Sequence, residues 1–444
     1  MKKDLTQGNV TGTMLLFAGP MILGNLLQQC YNIADTLIVG RYLGASALAA
    51  VGSAYTLMTF LTSIIIGLCM GSGAVISVYY GKKEDGQMKK SMLTSFFFIS
   101  IVTILLTVLV FIAIHPILHI LQVPENIYGL MYEYVWVIFW GIGFVFLYNF
   151  FAYLLRALGN SVIPLCFLGA AAVLNIFLDI LFVVYFQMGA GGAAFATVLS
   201  QAVSGVGIGV YTWIKEPELH PKKGAFFSDR KTVSEVIRNS AAACVQQSVM
   251  NFGILMIQGL VNSFGTVVMA AFAAAVKIDS FAYMPAQEFG NAFSLFISQN
   301  YGAGEKVRVR QGMKKAAAVS MAFCGIISVG IFVLAPRLMG IFIDAGEVLI
   351  IQAGVEYLRI EGLFYCGIGL LFLLYGFYRG VEKPEMSLVL TIISLGTRVL
   401  LAYMLAPLPR IGVLGIWWAI PIGWFLADAV GILCLERVKE INTL

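Results

Sequence analysis

An all-α integral membrane protein, with twelve transmembrane helices in two six-helix lobes, is the fold class this sequence predicts, and three observations predict it. Apolar residues make up 60% of the 444 and charged residues only 11%, with mean hydropathy +0.89; an ordinary soluble domain carries about 25% charged residues. Charge-poor runs, each exceeding the roughly 20 residues that cross a hydrocarbon core, recur along the whole chain. The second half also repeats the first at a near-constant offset. This composition excludes a water-soluble enzyme, and the segments of about ten alternating residues that mark an outer-membrane barrel are missing.

The apolar runs place spans at about 12–38, 47–78, 91–114, 131–156, 163–186, 190–214, 236–262, 268–299, 315–342, 356–379, 386–408 and 412–435. MKKDLTQGNVTGTML at the start is polar to mixed and shows no small-residue cleavage signal, so the first span is expected to stay. With the amino terminus inside, 22 of the 28 Lys and Arg fall in inner loops and ends. Arg41, Arg337, Arg359 and Arg410 fall on or near the other side, and Lys277 and Arg398 lie within spans. This positive-inside bias puts both termini in the cytoplasm. It also explains the net charge of +5 without a nucleic-acid partner.

The polar stretch KEPELHPKKGAFFSDRKTVSE, residues 215–235, reads as a cytoplasmic linker between an amino-terminal lobe (1–214, helices 1–6) and a carboxy-terminal lobe (236–444, helices 7–12). Leu43-Gly44 matches Phe264-Gly265 at an offset of 221, as Ile76-Ser77 matches Ile297-Ser298. Glu133-Tyr134 matches Glu356-Tyr357 at 223, as do Arg156 with Arg379 and Gly189 with Gly412. Six spans are duplicated. Because six is even, the copies insert with the same orientation, an arrangement found in alternating-access transporters.

Ionisable residues inside spans cost at least about 2.5–3.5 kcal/mol and so carry functional hypotheses. The first span places Asn25, Gln28, Asn32 and Asp35 on one stripe. The fifth adds Asn175 and Asp179, four apart and on one face, and the sixth adds Thr197, Gln201 and Ser204. Two carboxylates among amide and hydroxyl oxygens suit Na⁺ or a proton. For Asn175 or Thr197 alone, a polar network joining helices is an equal reading, but two aspartates exceed what such a joint requires. The seventh span offers Gln247 and Asn251 without a carboxylate, and Asp35 and Asp179 correspond to Met256 and Ala402, so the coupling chemistry is asymmetric. Lys277, Asp279 and Glu288 in the eighth span cannot pair with one another; Arg398 and Glu361 are candidate partners, for a structural ion pair or a substrate contact. Pro20 removes a backbone bond in the helix that carries Asp35, as a static kink or a moving hinge. The seven cysteines form no CxxC or Cys/His pattern, and His115, His119 and His220 fall near loops. Neither a metal site of that kind nor a histidine triad is expected.

GNLLQQCYNIADTLIVGRYLGASALAAVG, LLRALGN, LNIFLDILF and FISQNYGAG, at their places in a duplicated chain, resemble the multidrug and toxic compound extrusion (MATE) transporters over nearly the full length. The resemblance implies a V-shaped pair of lobes that exports organic cations and amphipathic toxicants in exchange for H⁺ or Na⁺. It is closer to the DinF-like branch, whose amino-lobe ion site falls on Asp35, Asn175, Asp179 and Thr197; these four would also be the ligands of a bound Na⁺. Pro20 falls on a first-helix proline proposed to bend in that branch. Gln28, Asn32, Gln201, Gln247, Asn251, Lys277, Asp279 and Glu288 are the candidate substrate or accessory residues. The NorM-like carboxy-lobe acids of the seventh and tenth spans are replaced here by CVQQSVMN and YCGIGLLFLLYG. A flippase for lipid-linked precursors is the main rival reading, but its cavity should be lined by Arg and Lys, and only Lys277 and Arg398 are available. The expected partners are a small organic substrate and the lipid bilayer, with no nucleic acid, no cofactor beyond the coupling ion, and a monomer as the functional unit. The expected location is a bacterial or archaeal cytoplasmic membrane.

Overall fold

The computed structural model describes residues 3–120, 123–220, 229–344 and 346–435, and every regular element among them is helical. In chain order the helices are α1 (Val10–Leu43), α2 (Ala45–Gly81), α3 (Asp85–Ile112), α4 (Ile114–Ile120), α5 (Glu125–Phe139), α6 (Ile142–Ala157), α7 (Val162–Asp179) and α8 (Gly189–Lys215). Then come α9 (Arg230–Asn262), α10 (Thr266–Gly302), α11 (Lys306–Met339), α12 (Val348–Leu363), α13 (Tyr365–Gly380), α14 (Pro384–Leu405) and α15 (Leu414–Leu435). Among the described residues, ten helical segments are long and apolar enough to cross a membrane. Two bent pairs, α5 with α6 and α12 with α13, bring the total to twelve spans.

The fourth and tenth spans are therefore not single helices. They bend by 44° and 52° at breaks next to Gly141 and Phe364, and the helices that follow start 223 residues apart, at Ile142 and Tyr365. An apolar run carries no mark of such a break, because bent and straight spans bury equally apolar side chains. Left-handed backbone repeats as well, at 221 for Gly44 (φ 84°) with Gly265 (φ 90°) and Lys83 with Gly304, and at 223 for Gly159 with Glu382 and Gly189 with Gly412. At Gly44 and Gly265 the chain reverses between consecutive spans, and a β-carbon would be strained there.

The helices form two compact units. One is built from Gly19–Cys244 together with the first residues through Asp4, the other from Leu5–Ala18 and the chain from Val245 onward. In the first, α8 packs on α5, α6 and α7, and α2 packs on α3, α5 and α6. Gly67 and Gly71 let α2 lie directly on the start of α9: a β-carbon at Gly71 would stand 2.3 Å from the Asn239 carbonyl oxygen. Small residues at such crossings allow backbone contact that lipid-embedded helices rely on. In the second unit α10 packs on α11, α12 and α13, and α15 packs on α14. Ile101, Ile104, Leu105, Val108 and Leu109 on α3, and Ile326, Val329 and Val333 on α11, are exposed. That much apolar surface suits lipid, not water.

Helix α9 begins at Arg230, inside the stretch read from sequence as linker. Asp229 starts it: its carboxylate accepts from the Thr232 N–H (3.3 Å) and hydroxyl (2.9 Å), satisfying a donor that the first helical turn leaves open. At the amino terminus, Leu5 is fully buried. Its N–H donates to Gln299 Oε1 (3.2 Å), and its carbonyl accepts from Asn300 Nδ2 (3.1 Å) and from the Arg308 guanidinium. Arg308 also donates to the carbonyls of Gln7 (2.7 Å) and Gly8 (2.6 Å). The FISQNYGAG segment thus clasps the chain start within the second unit.

Candidate functional site

Three helices of the first unit assemble the acidic residues. Asp35 lies eight residues before the end of α1, half-buried. Asp179 is the last residue of α7 and fully buried, and Asn175, one turn earlier, is buried beside it. Beyond Asp179 the helix widens into a π-helical turn, Ile180–Tyr185, a distortion that often accompanies function. The Asp35 and Asp179 carboxyl groups lie within hydrogen-bonding reach of each other. Yet Asp35 Oδ1, both Asp179 oxygens and Asn175 Oδ1 are buried without a donor. From α8, Thr197 accepts from Asn175 Nδ2 (3.4 Å) and donates to the Ala193 carbonyl (3.2 Å). The structure therefore brings Asp35, Asn175, Asp179 and Thr197 into one cluster.

Such a cluster is short of positive charge. Two ionised carboxylates about 4 Å apart repel by about 4 kcal/mol at an effective dielectric of about 20. A proton shared between them, or a cation bridging them, removes that repulsion and satisfies the open oxygens. The oxygen set of two carboxylates, one amide and one hydroxyl is the chemistry a hard monovalent cation takes.

The other predicted residues are distributed differently. Asn32 is half-buried and donates to the Tyr55 hydroxyl (3.5 Å), and Gln28 is exposed. Gln201 Oε1 is buried against the α5–α6 break, 2.8 Å from where a Gly141 β-carbon would stand; glycine leaves that space open. Pro20 sits within an unbroken α1, next to the point where the helix passes from one unit's packing to the other's. In the second unit Gln247 and Asn251 are half-buried, Lys277 is exposed and Glu288 accepts from Asn291 Nδ2 (3.3 Å). Asp279 is buried and accepts from the Tyr365 hydroxyl (2.6 Å). Tyr31 and Tyr134 were missed from sequence, although both lie in the electrostatic field of Asp35 and Asp179. Tyr31 was within reach of helical spacing, being one turn before Asp35 on the same face; Tyr134 comes from another helix and left no such signal.

The profile of the MatE family matches this chain twice, over residues 20–181 and again over 242–404. The chain belongs to the MatE family. The two matches start 222 residues apart, between the offsets of 221 and 223 at which the left-handed residues and helix breaks recur. A relative in Bacillus subtilis, described as the probable multidrug resistance protein YpnP, is 32% identical over 398 residues, covering 88% of this chain and 87% of the relative. A second from the same organism, the probable multidrug resistance protein YoeA, is 27% identical and covers 96% of this chain and 93% of its own. A crystal structure of a MATE protein in complex with MaL6 superposes with a TM-score of 0.92 at 22% identity, covering 99% of both chains. As a MatE protein the chain is a multi-pass membrane transporter and not an enzyme.

Proposed function

We propose that this MatE protein is a secondary antiporter that exports cationic or amphipathic small molecules in exchange for H⁺ or Na⁺ by alternating access. The observation that carries the reading is the buried Asp35–Asp179 pair with its open oxygens. YpnP and YoeA, described as probable multidrug resistance proteins, support export of toxic organic compounds. The positive-inside distribution of Lys and Arg supports a cytoplasmic-membrane location with both termini inside.

In this mechanism the ionised pair attracts a cationic substrate from the cytoplasmic side into a low-dielectric site, where Coulomb attraction is strong. An ion entering from outside cancels the charge, and the substrate leaves. Only a ligand that binds the two states differently can shift their balance, and the acid pair supplies that difference. Asn175 and Thr197, bonded to each other beside the pair, complete the oxygen set, and Tyr31 and Tyr134 limit water around it. Pro20, lacking one helical hydrogen bond, is the flexible point in the helix bearing Asp35.

The test is export of a fluorescent cationic dye from proteoliposomes under separately imposed H⁺ and Na⁺ gradients. Asp35→Asn is expected to abolish gradient-driven export while the protein stays monodisperse, with Asp179→Asn impaired to a similar or lesser degree. Unchanged export by Asp35→Asn would remove that residue from the coupling.

A further inference from the structure

The second unit holds buried acids of its own, and they meet at the α12–α13 break. Asp279 (α10) and Glu361 (α12) are 4% and 3% exposed. The Tyr365 hydroxyl, just past the break, donates to Asp279 Oδ1 at 2.6 Å, and the Tyr357 hydroxyl lies beside both acids. Arg398 (α14) acts on both electrostatically, and Tyr283 (α10) lies in the field of all three. Glu361 Oε2 and Arg398 Nε are buried without hydrogen-bond partners. The cluster is packed into the unit and incompletely satisfied.

The internal repeat makes this cluster the counterpart of the first one. Arg398 stands 223 residues after Asn175, and Tyr357 the same distance after Tyr134, while Asp35 and Asp179 are represented by Met256 and Ala402. The duplicated position has thus kept its tyrosine, exchanged an amide for a guanidinium and recruited acids from two other helices. One guanidinium cannot neutralise two carboxylates, and the leftover negative charge would cost at least about 2.5–3.5 kcal/mol inside a membrane. A single proton removes it. Broken helices at matching places in repeated halves are where transporters bind ions.

We propose that Asp279 and Glu361 form a second exchangeable proton site in which the Arg398 charge balances one carboxylate and the other acid carries a proton. This site stands apart from the Asp35–Asp179 reading and is tested without it. The protein carrying Asp35→Asn and Asp179→Asn is used as background, and pH-difference infrared spectra follow the protonated-carboxyl stretching band. The expected result is a band in the background protein that is lost when either Asp279→Asn or Glu361→Gln is added, because the Arg398 charge then balances the remaining acid. Arg398→Gln should instead keep or enlarge the band. Tyr365→Phe, which deletes only a hydroxyl, should shift its frequency by removing the hydrogen bond to Asp279. Asp428, a further buried acid of this unit, contributes a component that none of these variants removes. The proposal is overturned if neither acid variant diminishes any component, or if one acid variant alone does so while the other leaves the band whole.

Discussion

Replacing Arg308 with alanine loosens the clasp on the amino-terminal segment. Its guanidinium donates to three backbone carbonyls, those of Leu5, Gln7 and Gly8, at 2.6–3.3 Å. Bonds from a charged donor are each worth about 1.5–3 kcal/mol when buried. Those to Gln7 and Gly8 are exposed and count for less, and the Leu5 carbonyl keeps Asn300 Nδ2. A net loss of about 3 kcal/mol in holding this segment follows, a little over two powers of ten in an opening equilibrium. Hydrogen exchange reads that quantity directly, since locally opened amides exchange in proportion to the open population. In Arg308→Ala the amide of Leu5 should exchange about a hundred-fold faster, with smaller increases into the first turns of α1 and no change in α13 or α14. Arg308→Lys should fall between, because an ammonium presents fewer donors and no planar fork. Wild-type exchange at Leu5 in the alanine variant would refute the reasoning, as would acceleration spread evenly over the second unit.

Two further predictions concern the first unit. Gly71→Ala forces a β-carbon into the Asn239 carbonyl oxygen and should destabilise the α2–α9 crossing by about 1–3 kcal/mol; Gly71→Leu should leave little monodisperse protein on size exclusion, whereas Gly52→Ala in the same helix, which meets nothing within 4 Å, should behave as wild type. At the start of α9, the Thr232 hydroxyl and N–H, with Lys90 at 4.0 Å, hold the Asp229 carboxyl below the usual carboxylate range. A depressed value means that its stabilisation is present above the unfolded pKa, about 3.9, and is lost as pH falls through the folded value. Asp229→Ala should therefore speed proteolysis or exchange at the α9 start at neutral pH and match wild type in strong acid, and a difference that persists there would show that the carboxylate is not the cap.

Much was legible before any coordinates. Composition and run length give twelve spans, because a bilayer demands about 20 apolar residues per crossing and tolerates few charges. The duplication was visible as paired dipeptides, since turn glycines such as Gly44 and Gly265 tolerate little substitution at positive φ. Asp35 and Asp179 stood out because charge is costly in lipid, and their common face with Asn175 followed from helical spacing. What lay beyond reach depends on long-range packing. That Asp35 and Asp179 face each other, that α7 opens into a π turn after Asp179, and that Tyr134 joins them are facts about which helix lies beside which. The breaks at Gly141 and Phe364 left no mark in hydropathy, because a bent span is as apolar as a straight one. Arg398 and Glu361 were visible as candidate partners of Asp279, but only the tertiary structure brought them together. Periodicity constrains a residue's own helix, whereas the partner of a buried charge is set by the neighbours that close around it.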